Sequence, residues 1–234
     1  MSNTYFDFKQ FRINQDRCAM KVGTDGVLLG AWFGLEKGNS VLDIGTGTGL
    51  VSLMAAQRGA GHVTGIEIDA SAAAQAGDNV SNSPYSGIID IIESDINSFT
   101  PSHKFDRIVC NPPFFRNSLR CPDGSRNTAR HNDSLSYEQL VAAAVRIIAP
   151  EGELTVILPA ETCDEFTRIA TLAGLYAIRV CNVVTVTGKM PKRTMLTFSP
   201  LSAPIRISTL AMCNADGSKT PEFTDMISPF YIRY

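Results

Sequence analysis

The chain has 234 residues, of which 44% are hydrophobic and 19% are charged. This apolar content supports a sizeable core and excludes an intrinsically disordered protein, and the length suits one α/β domain. The 21 Lys and Arg residues nearly balance the 23 Asp and Glu residues, for a formal net charge of -2. A polybasic protein that binds nucleic acid over its whole surface is therefore excluded, and any such contact must be local.

Cysteine usage and the N-terminus indicate the compartment. The six cysteines include no C-x-x-C pair, and there are only three histidines, so no metal site is expected. Residues 1–17 are polar and aromatic, unlike the apolar region of a signal peptide, and no run of about 18 apolar residues occurs. We therefore expect a reduced, soluble, cytoplasmic protein that does not enter a membrane.

Residues 1–39 precede the first predicted strand and are interpreted as an N-terminal extension. Its stretch KVGTDGVLLGAW predicts a short helix that runs to Trp32, with Thr24 or Asp25 as the cap.

From residue 40 onwards, short β-branched apolar runs alternate with helical stretches. The predicted strands are 40–44, 62–68, 87–94, 105–110 and 152–159, and the predicted helices are 50–58, 71–80, 137–148 and 161–174. This alternation is typical of βαβ units in a parallel sheet that is covered on both faces. Two further β-rich stretches, 175–187 and 194–199, predict an antiparallel hairpin at the end of the sheet.

The predicted fold class is therefore α/β. We expect one Rossmann-like domain over residues 1–234, with a core in residues 40–234. Its sheet is expected to be doubly wound, mostly parallel and seven-stranded, with an antiparallel C-terminal hairpin.

The first predicted strand leads into the sequence D-I-G-T-G-T-G, with Asp43 in the strand and Gly45, Gly47 and Gly49 in the turn that follows. Glycines there let the backbone approach a bound nucleotide, and the next helix presents its positive N-terminus. The dinucleotide fingerprint G-x-G-x-x-G is not completed, because Leu50 occupies its third glycine position. A plain tight turn is the alternative interpretation of the glycines alone.

Three acids accompany this turn. Glu67 ends the second strand about 20 residues further on, where an acid can accept both hydroxyls of a ribose. Asp43, inside an apolar strand, needs an ammonium-bearing ligand or backbone donors beside it, and the amides of the turn itself are the alternative. Asp95 follows the third strand, where an adenine edge would lie, and an exposed helix cap is the alternative.

The fourth predicted strand leads into Asn111-Pro112-Pro113-Phe114. Two consecutive prolines fix a rigid turn, which presents the Asn111 side-chain carbonyl, the Pro112 backbone carbonyl and the Phe114 ring. Two acceptors and an aromatic face suit a planar amine on a nucleobase or a side-chain amide. Accepting both amine hydrogens favours the tetrahedral nitrogen that attacks an electrophilic methyl group. An ordinary Asn-Pro turn is the alternative.

The small net charge conceals segregated charges. Residues 111–131 carry four arginines and one acid, residues 133–165 carry seven acids and one arginine, and residues 187–206 carry four bases and no acid. If both basic stretches lie beside one pocket, they form a rim for RNA phosphates. The candidate RNA contacts are Arg116, Arg130, Lys189, Lys192 and Arg193. A charged, solvated loop is the alternative for any single residue.

The motifs VLDIGTGTGL, GIEID, ESDI and NPPF, in this order, resemble the class I S-adenosylmethionine-dependent methyltransferases, and the N-P-P-F form resembles the branch that methylates amines. The stretches FKQFRINQDRCAMKVGTDGVLLGAW, KRTMLTFS and FYIRY are similar to the bacterial tRNA1(Val) adenine-N6 methyltransferase family. The resemblance spans nearly the whole chain.

This resemblance implies S-adenosylmethionine as the cofactor. Asp43 and the glycine turn would hold its methionine part, Glu67 its ribose and Asp95 its adenine. Residues 111–114 would bind the target base, with Asn111 also beside the cofactor. Phe114 stands where Tyr is frequent, which keeps the stacking face and removes only a hydroxyl.

The N-terminal extension would act as a cofactor lid, with the loop around residues 21–25, including Thr24, closing over the methionine end. The implied activity is methyl transfer to N6 of an adenosine in a tRNA anticodon loop, the adenosine 3′ of the anticodon in tRNA1(Val). We expect the enzyme to be a monomer. Two alternatives stay open: a protein N5-glutamine methyltransferase that acts on release factors, and a non-catalytic nucleotide-binding module.

Overall fold

The computed structural model describes residues 3–18, 20–112 and 135–232. The elements in these ranges, numbered in chain order, are β1 (Tyr5–Asp7), β2 (Arg12–Asn14), α1 (Thr24–Trp32), β3 (Ser40–Ile44), α2 (Leu50–Gln57), β4 (His62–Glu67), α3 (Ala70–Ser81), β5 (Ile89–Glu93), β6 (Phe105–Cys110), α4 (Tyr137–Ile147), β7 (Ile148–Pro159), α5 (Cys163–Leu172), β8 (Tyr176–Val186), β9 (Arg193–Ser199), β10 (Arg206–Cys213) and α6 (Pro221–Ile227). A short 3-10 helix, Ala160–Thr162, joins β7 to α5.

Eight strands form the main sheet in the order β10-β8-β9-β7-β6-β3-β4-β5. All neighbours are parallel except β9, which is antiparallel to both β7 and β8. The predicted α/β class, the mostly parallel sheet and the antiparallel hairpin β8-β9 are confirmed. The predicted count of seven strands is one too few, because β10 extends the sheet beyond β8. Its first four residues are exposed at the sheet edge, so its sequence lacks the continuous apolar run of a buried strand.

Alternate residues of the central strands pack on opposite faces of the sheet. On β3, Val41 belongs to one core and Leu42 to the other, and on β6 Val109 and Ile108 divide in the same way. Helices α1, α2, α3 and α6 contribute to the first core, and helices α4 and α5 contribute to the second. Burial on both faces explains why these strands are apolar throughout their length.

The N-terminal extension forms an antiparallel hairpin, β1-β2, followed by α1. The predicted helix to Trp32 is confirmed, but the predicted cap is wrong. Gly23 is the N-cap, without a side-chain hydrogen bond, so Thr24 and Asp25 lie in the first helical turn. Helix α1 packs so closely on α2 that a Cβ at Gly30 would lie 2.7 Å from the sulfur atom of Met54 in α2.

The order of the strands reverses between β3 and β6. The chain proceeds from β3 outwards to β4 and β5, then returns to β6 on the other side of β3 and continues to β7. Ligands of open parallel sheets bind outside the carboxyl ends of the strands at such a switch point. The glycine turn, Glu67, Asp95 and Asn111 follow or end β3, β4, β5 and β6, so the topology brings them to one edge, called here the carboxyl edge.

Candidate active site

The glycine turn connects β3 to α2 at the carboxyl edge. Its three glycines have φ values in the left-handed region, where a Cβ would be strained: 69° at Gly45, 55° at Gly47 and 80° at Gly49. The amides of Gly45 and Thr46 donate to the Ile66 carbonyl at 2.8 and 3.0 Å. The turn is therefore shaped by its glycines and bound to the neighbouring strand β4.

Asp43 is 2% exposed. Its Oδ2 accepts hydrogen bonds from Thr46 Oγ1 at 2.7 Å, Ser52 Oγ at 2.8 Å and Ser52 N at 3.1 Å. The Ser52 amide lies in the first turn of α2, so the carboxylate also complements the positive end of that helix. Burial nevertheless raises the pKa of Asp43 to about 6. No hydrogen bond from the described residues reaches its other oxygen, Oδ1.

Glu67 is bound at both oxygens by backbone amides. Oε2 accepts from Gly47 N at 2.9 Å, and Oε1 accepts from Ile68 N at 2.9 Å and Asp69 N at 3.1 Å. Glu67, predicted from its spacing to lie near the glycine turn, thus contacts that turn directly, because β3 and β4 are neighbouring strands. Of the roughly four lone-pair sites of a carboxylate, these bonds leave one free on Oε2, which a ribose hydroxyl could use.

Asp95 is half-buried and starts the turn after β5. Its Oδ1 accepts from Asn97 N at 2.9 Å, and its carbonyl accepts from Ser98 N and Phe99 N at 3.0 Å. The carboxylate therefore caps a turn, which is close to the alternative interpretation of Asp95 as an exposed helix cap. The preceding Ser94 amide donates to the Glu67 carbonyl at 2.9 Å, which places Asp95 next to the predicted ribose acid.

Asn111 follows β6 on the other side of the switch point, where Cys110 pairs with Ile44 of β3. Its side-chain Oδ1 is sealed from solvent and accepts no hydrogen bond within the described part of the chain. Leaving a buried carbonyl unpaired costs about 1–3 kcal/mol. A buried, unpaired acceptor of this kind at the carboxyl edge can accept a hydrogen bond from a donor group of a bound ligand.

The thiol of Cys110 is excluded as a nucleophile. Burial raises the pKa of Cys110 well above the usual range of a thiol, and the nearby Asp43 and Glu67 carboxylates raise it further. The thiol therefore stays protonated, and a protonated buried cysteine is inert.

Several predicted site residues fall outside the described residues. Pro113, Phe114, Arg116 and Arg130 belong to this group, so their roles in base stacking and RNA contact stay predictions. Pro112, the last described residue of the motif, is buried.

The basic turn, residues 187–192, lies at the carboxyl edge, because β9 runs antiparallel to β7 and Arg193 pairs with Pro159 at the end of β7. Lys189 and Lys192 are exposed on this turn. Arg193 differs, because its Nε donates to Asp25 Oδ2 of α1 at 2.9 Å. Of the three predicted RNA contacts that the structure describes, Lys189 and Lys192 are thus open to a phosphate, and Arg193 is engaged in an ion pair.

Thr24 is exposed at the start of α1. The ion pair of the adjacent Asp25 with Arg193 brings this end of the helix to the carboxyl edge. The predicted contact between Thr24 and the cofactor stays a prediction.

Sequence reasoning missed two buried amides on α3, Gln75 and Asn79, which are 0% and 1% exposed. Both bind the N-terminal segment, and Asn79 also binds the glycine turn. A signal was present, because the two residues share an i, i+4 stripe with the buried Ala72 and Ala76. Polar residues in an apolar stripe must find hydrogen-bond partners.

Across residues 3–18, 20–112 and 135–232, no group of three or more His, Cys, Asp or Glu side chains could hold a metal ion. None of the helices in these ranges is long and apolar enough to cross a membrane.

Comparisons with known proteins agree with this geometry. The model of the methyltransferase small domain family matches residues 21–171. A curated relative from Bacteroides fragilis, named tRNA1(Val) (adenine(37)-N6)-methyltransferase, is 44% identical over 236 residues that cover 100% of both chains.

Solved structures agree on the fold. A predicted O-methyltransferase from Agrobacterium tumefaciens matches with a TM-score of 0.69 and 19% identity, over 88% of this chain and 96% of that chain. A TehB-like SAM-dependent methyltransferase from Corynebacterium glutamicum matches with a TM-score of 0.51 and 18% identity, over 70% and 82% of the two chains. The fold is thus that of class I methyltransferases, and a methyltransferase of this fold implies S-adenosylmethionine as the methyl donor. The chain belongs to the methyltransferase small domain family and, within it, to the family of the tRNA1(Val) (adenine(37)-N6)-methyltransferases.

Proposed function

We propose that this chain transfers the methyl group of S-adenosylmethionine to the N6 amine of adenosine 37 in tRNA1(Val). Family membership supports the reaction, and one observation carries its assignment to a site. Asn111 presents a buried side-chain oxygen without a hydrogen-bond partner among the described residues, at the switch point where the cofactor crevice is expected.

The residues at the carboxyl edge fit this cofactor. The left-handed glycine turn lets the backbone approach a ligand closely. Asp43 offers Oδ1 to the ammonium of the methionine part, since its other oxygen is occupied by Thr46 and Ser52. Glu67 would accept a ribose hydroxyl at Oε2, and Asp95 would lie beside the adenine. When bound, S-adenosylmethionine supplies an electrophilic methyl group on a sulfonium.

Asn111 binds and orients the target amine in this proposal. Its Oδ1 and the Pro112 carbonyl accept the two N–H hydrogens, which draws electron density onto nitrogen and favours the tetrahedral geometry of attack. The Phe114 ring would stack beneath the base. No strong general base is needed, because the proton lost after attack is acidic and water can take it.

The exposed Lys189 and Lys192 are proposed to bind phosphates of the anticodon loop beside this pocket. A base in a single-stranded loop can be turned into the pocket at low cost. We further propose that the enzyme is a monomer and acts in the cytoplasm, where its tRNA substrate would be modified.

The test is to incubate the protein and labelled S-adenosylmethionine with unmodified tRNA or with release factor, and to identify the product by mass spectrometry. We expect N6-methyladenosine in the tRNA and no label in the protein. Label in a release-factor glutamine would support the protein N5-glutamine methyltransferase instead. Cofactor binding without label in either substrate would support a non-catalytic nucleotide-binding module.

A further inference from the structure

Asn79 of α3 joins two segments that are distant in the sequence. Its Oδ1 accepts from Asn14 N at 2.9 Å, while its Nδ2 donates to the carbonyls of Asn14 and Thr48, each at 2.9 Å. The side chain is 1% exposed. Asn14 ends the N-terminal hairpin and Thr48 lies in the glycine turn, so one buried amide binds the backbone of both.

We propose that Asn79 is a positioning residue that couples the N-terminal hairpin to the glycine turn and thereby sets the affinity for S-adenosylmethionine. The inference rests on the proposed function, because it assumes that the glycine turn binds this cofactor. It adds a residue that touches neither cofactor nor substrate and acts through the turn.

The chemistry of the amide explains why another buried residue would not serve. Asn79 satisfies one backbone donor and two backbone acceptors at once, which matches the donor and acceptor content of a carboxamide. An apolar side chain would leave the Asn14 amide and the carbonyls of Asn14 and Thr48 buried and unpaired. Unsatisfied groups of this kind are costly, so the turn or the hairpin would have to move.

The contact with Thr48 acts at the centre of the glycine turn. Thr48 lies between Gly47, whose amide donates to Glu67 at 2.9 Å, and Gly49, whose amide donates to the Thr46 carbonyl at 2.9 Å. Fixing the Thr48 carbonyl fixes the peptide plane that it shares with Gly49. Glycines lose more conformational entropy on ordering than other residues, so a turn that is ordered in advance binds its ligand more tightly.

The segment that follows the hairpin continues along α3 towards the proposed ribose site. After Asn14, the chain passes along α3, where Arg17 N donates to Gln75 Oε1 at 3.0 Å and Gln75 Nε2 donates to Asp16 Oδ1 at 2.7 Å. Burial, with Glu67 and Asp69 nearby, raises the pKa of Cys18 to about 11. The segment therefore runs close to the carboxylate that is proposed to bind the ribose.

Gln75 provides a matched control for Asn79. It lies one turn earlier on the same helix, is equally buried, and binds the same N-terminal segment. Unlike Asn79, it has no hydrogen bond to the glycine turn. A variant at Gln75 thus loosens the segment from α3 and leaves the Thr48 contact intact.

The experiment compares Asn79→Ala and Gln75→Ala by calorimetric titration with S-adenosylhomocysteine, together with the KM for tRNA. We expect Asn79→Ala to raise the Kd about tenfold, because one buried hydrogen bond that orders the turn is lost. Gln75→Ala should change the Kd less than about threefold. In both variants the KM for tRNA should change by less than the tenfold expected for the Kd of Asn79→Ala. An equal rise of the Kd in both variants would show that Asn79 acts only by holding the segment, and would overturn the proposal.

A readout without cofactor separates this inference from the proposed function. Hydrogen–deuterium exchange of residues 45–49 in the free protein should be faster in Asn79→Ala and unchanged in Gln75→Ala. If Asn79→Ala does not fold, Asn79→Leu keeps the approximate size of the side chain but cannot donate to Thr48, and should show the same faster exchange. Unchanged exchange in the folded variant would contradict the coupling. Failure of wild-type protein to bind S-adenosylhomocysteine would instead contradict the proposed function.

Discussion

Arg193 at the start of β9 donates a hydrogen bond of 2.9 Å from Nε to Asp25 Oδ2 in the first turn of α1. The two side chains are 33% and 22% exposed, so the pair is partly shielded from solvent. It joins the amino end of α1 to the carboxyl edge of the sheet, beside the proposed active site. Arg193 therefore acts first as an anchor for α1, while Lys189 and Lys192 of the same basic stretch remain open to substrate.

The double variant Lys189→Ala/Lys192→Ala should raise the KM for tRNA several-fold and leave cofactor affinity unchanged. The reason is that both lysines are exposed, and each phosphate contact that is lost should reduce the salt dependence of binding by about one unit of slope. Binding of tRNA at several salt concentrations measures this slope. Lys37→Ala, at an exposed lysine before β3 on the opposite edge, is the control and should change neither quantity.

Asn111→Ala should leave the affinity for S-adenosylhomocysteine near that of the wild type and reduce methyl transfer by at least about a hundredfold. The variant removes an acceptor that acts on the amine in the transition state, and a single such group is worth about 10²–10³ in rate. Calorimetry and single-turnover kinetics give the two quantities. If cofactor affinity collapsed together with the rate, the assignment of Asn111 to the substrate would be wrong.

Glu67→Gln should weaken cofactor binding about tenfold to a hundredfold. The carboxylate accepts hydrogen bonds from three backbone amides, and a carboxamide would turn its NH2 group towards at least one of them. Loss of a hydrogen bond to a charged group costs about 1.5–3 kcal/mol. Glu93→Gln on the paired position of β5 tests whether charge alone matters, and an equal effect there would refute a specific role for Glu67.

The buried Asp43 predicts a pH dependence of stability. Its pKa is raised from 3.8 to about 6 by burial, so the folded chain binds this proton more tightly than the unfolded chain does. Protonation therefore stabilises the fold below about pH 4, and this contribution is lost as the pH rises to about 6. The free energy of unfolding of Asp43→Asn, relative to the wild type, should increase between pH 4 and pH 6.5 in urea titrations. A constant difference over this range would contradict the raised pKa.

Two glycines should respond in opposite directions to alanine. Gly77 lies in α3 with open space around its Cβ position, so Gly77→Ala should stabilise the protein by about 0.5–1 kcal/mol through helix propensity. Gly49 has a φ of 80°, and a Cβ there would lie 3.5 Å from Ala76, so Gly49→Ala should destabilise by about 1 kcal/mol. Thermal unfolding of both variants measures the difference, and a stabilising Gly49→Ala would show that the turn tolerates another conformation.

The sequence by itself predicted the parts of the site that rest on short-range patterns. The strand-turn-helix spacing identified the glycine turn, and two prolines marked Asn111 as a fixed position. Because the strands were recognised as parallel, their carboxyl ends had to meet at one edge, which placed Glu67 and Asp95 beside the turn. These inferences need only local backbone preferences and the periodicity of burial.

Only the tertiary structure decided which residues, distant in the sequence, hold the site in place. Asn79 binds backbone atoms of Asn14, 65 positions away, and Arg193 binds Asp25, 168 positions away. Backbone donors and acceptors are the same at every residue, so no sequence pattern names the partner of a buried amide. The partner of an arginine among many carboxylates is likewise fixed only when the strand order brings two segments together. Local chemistry selects the elements of this site, whereas long-range packing decides what holds them in place.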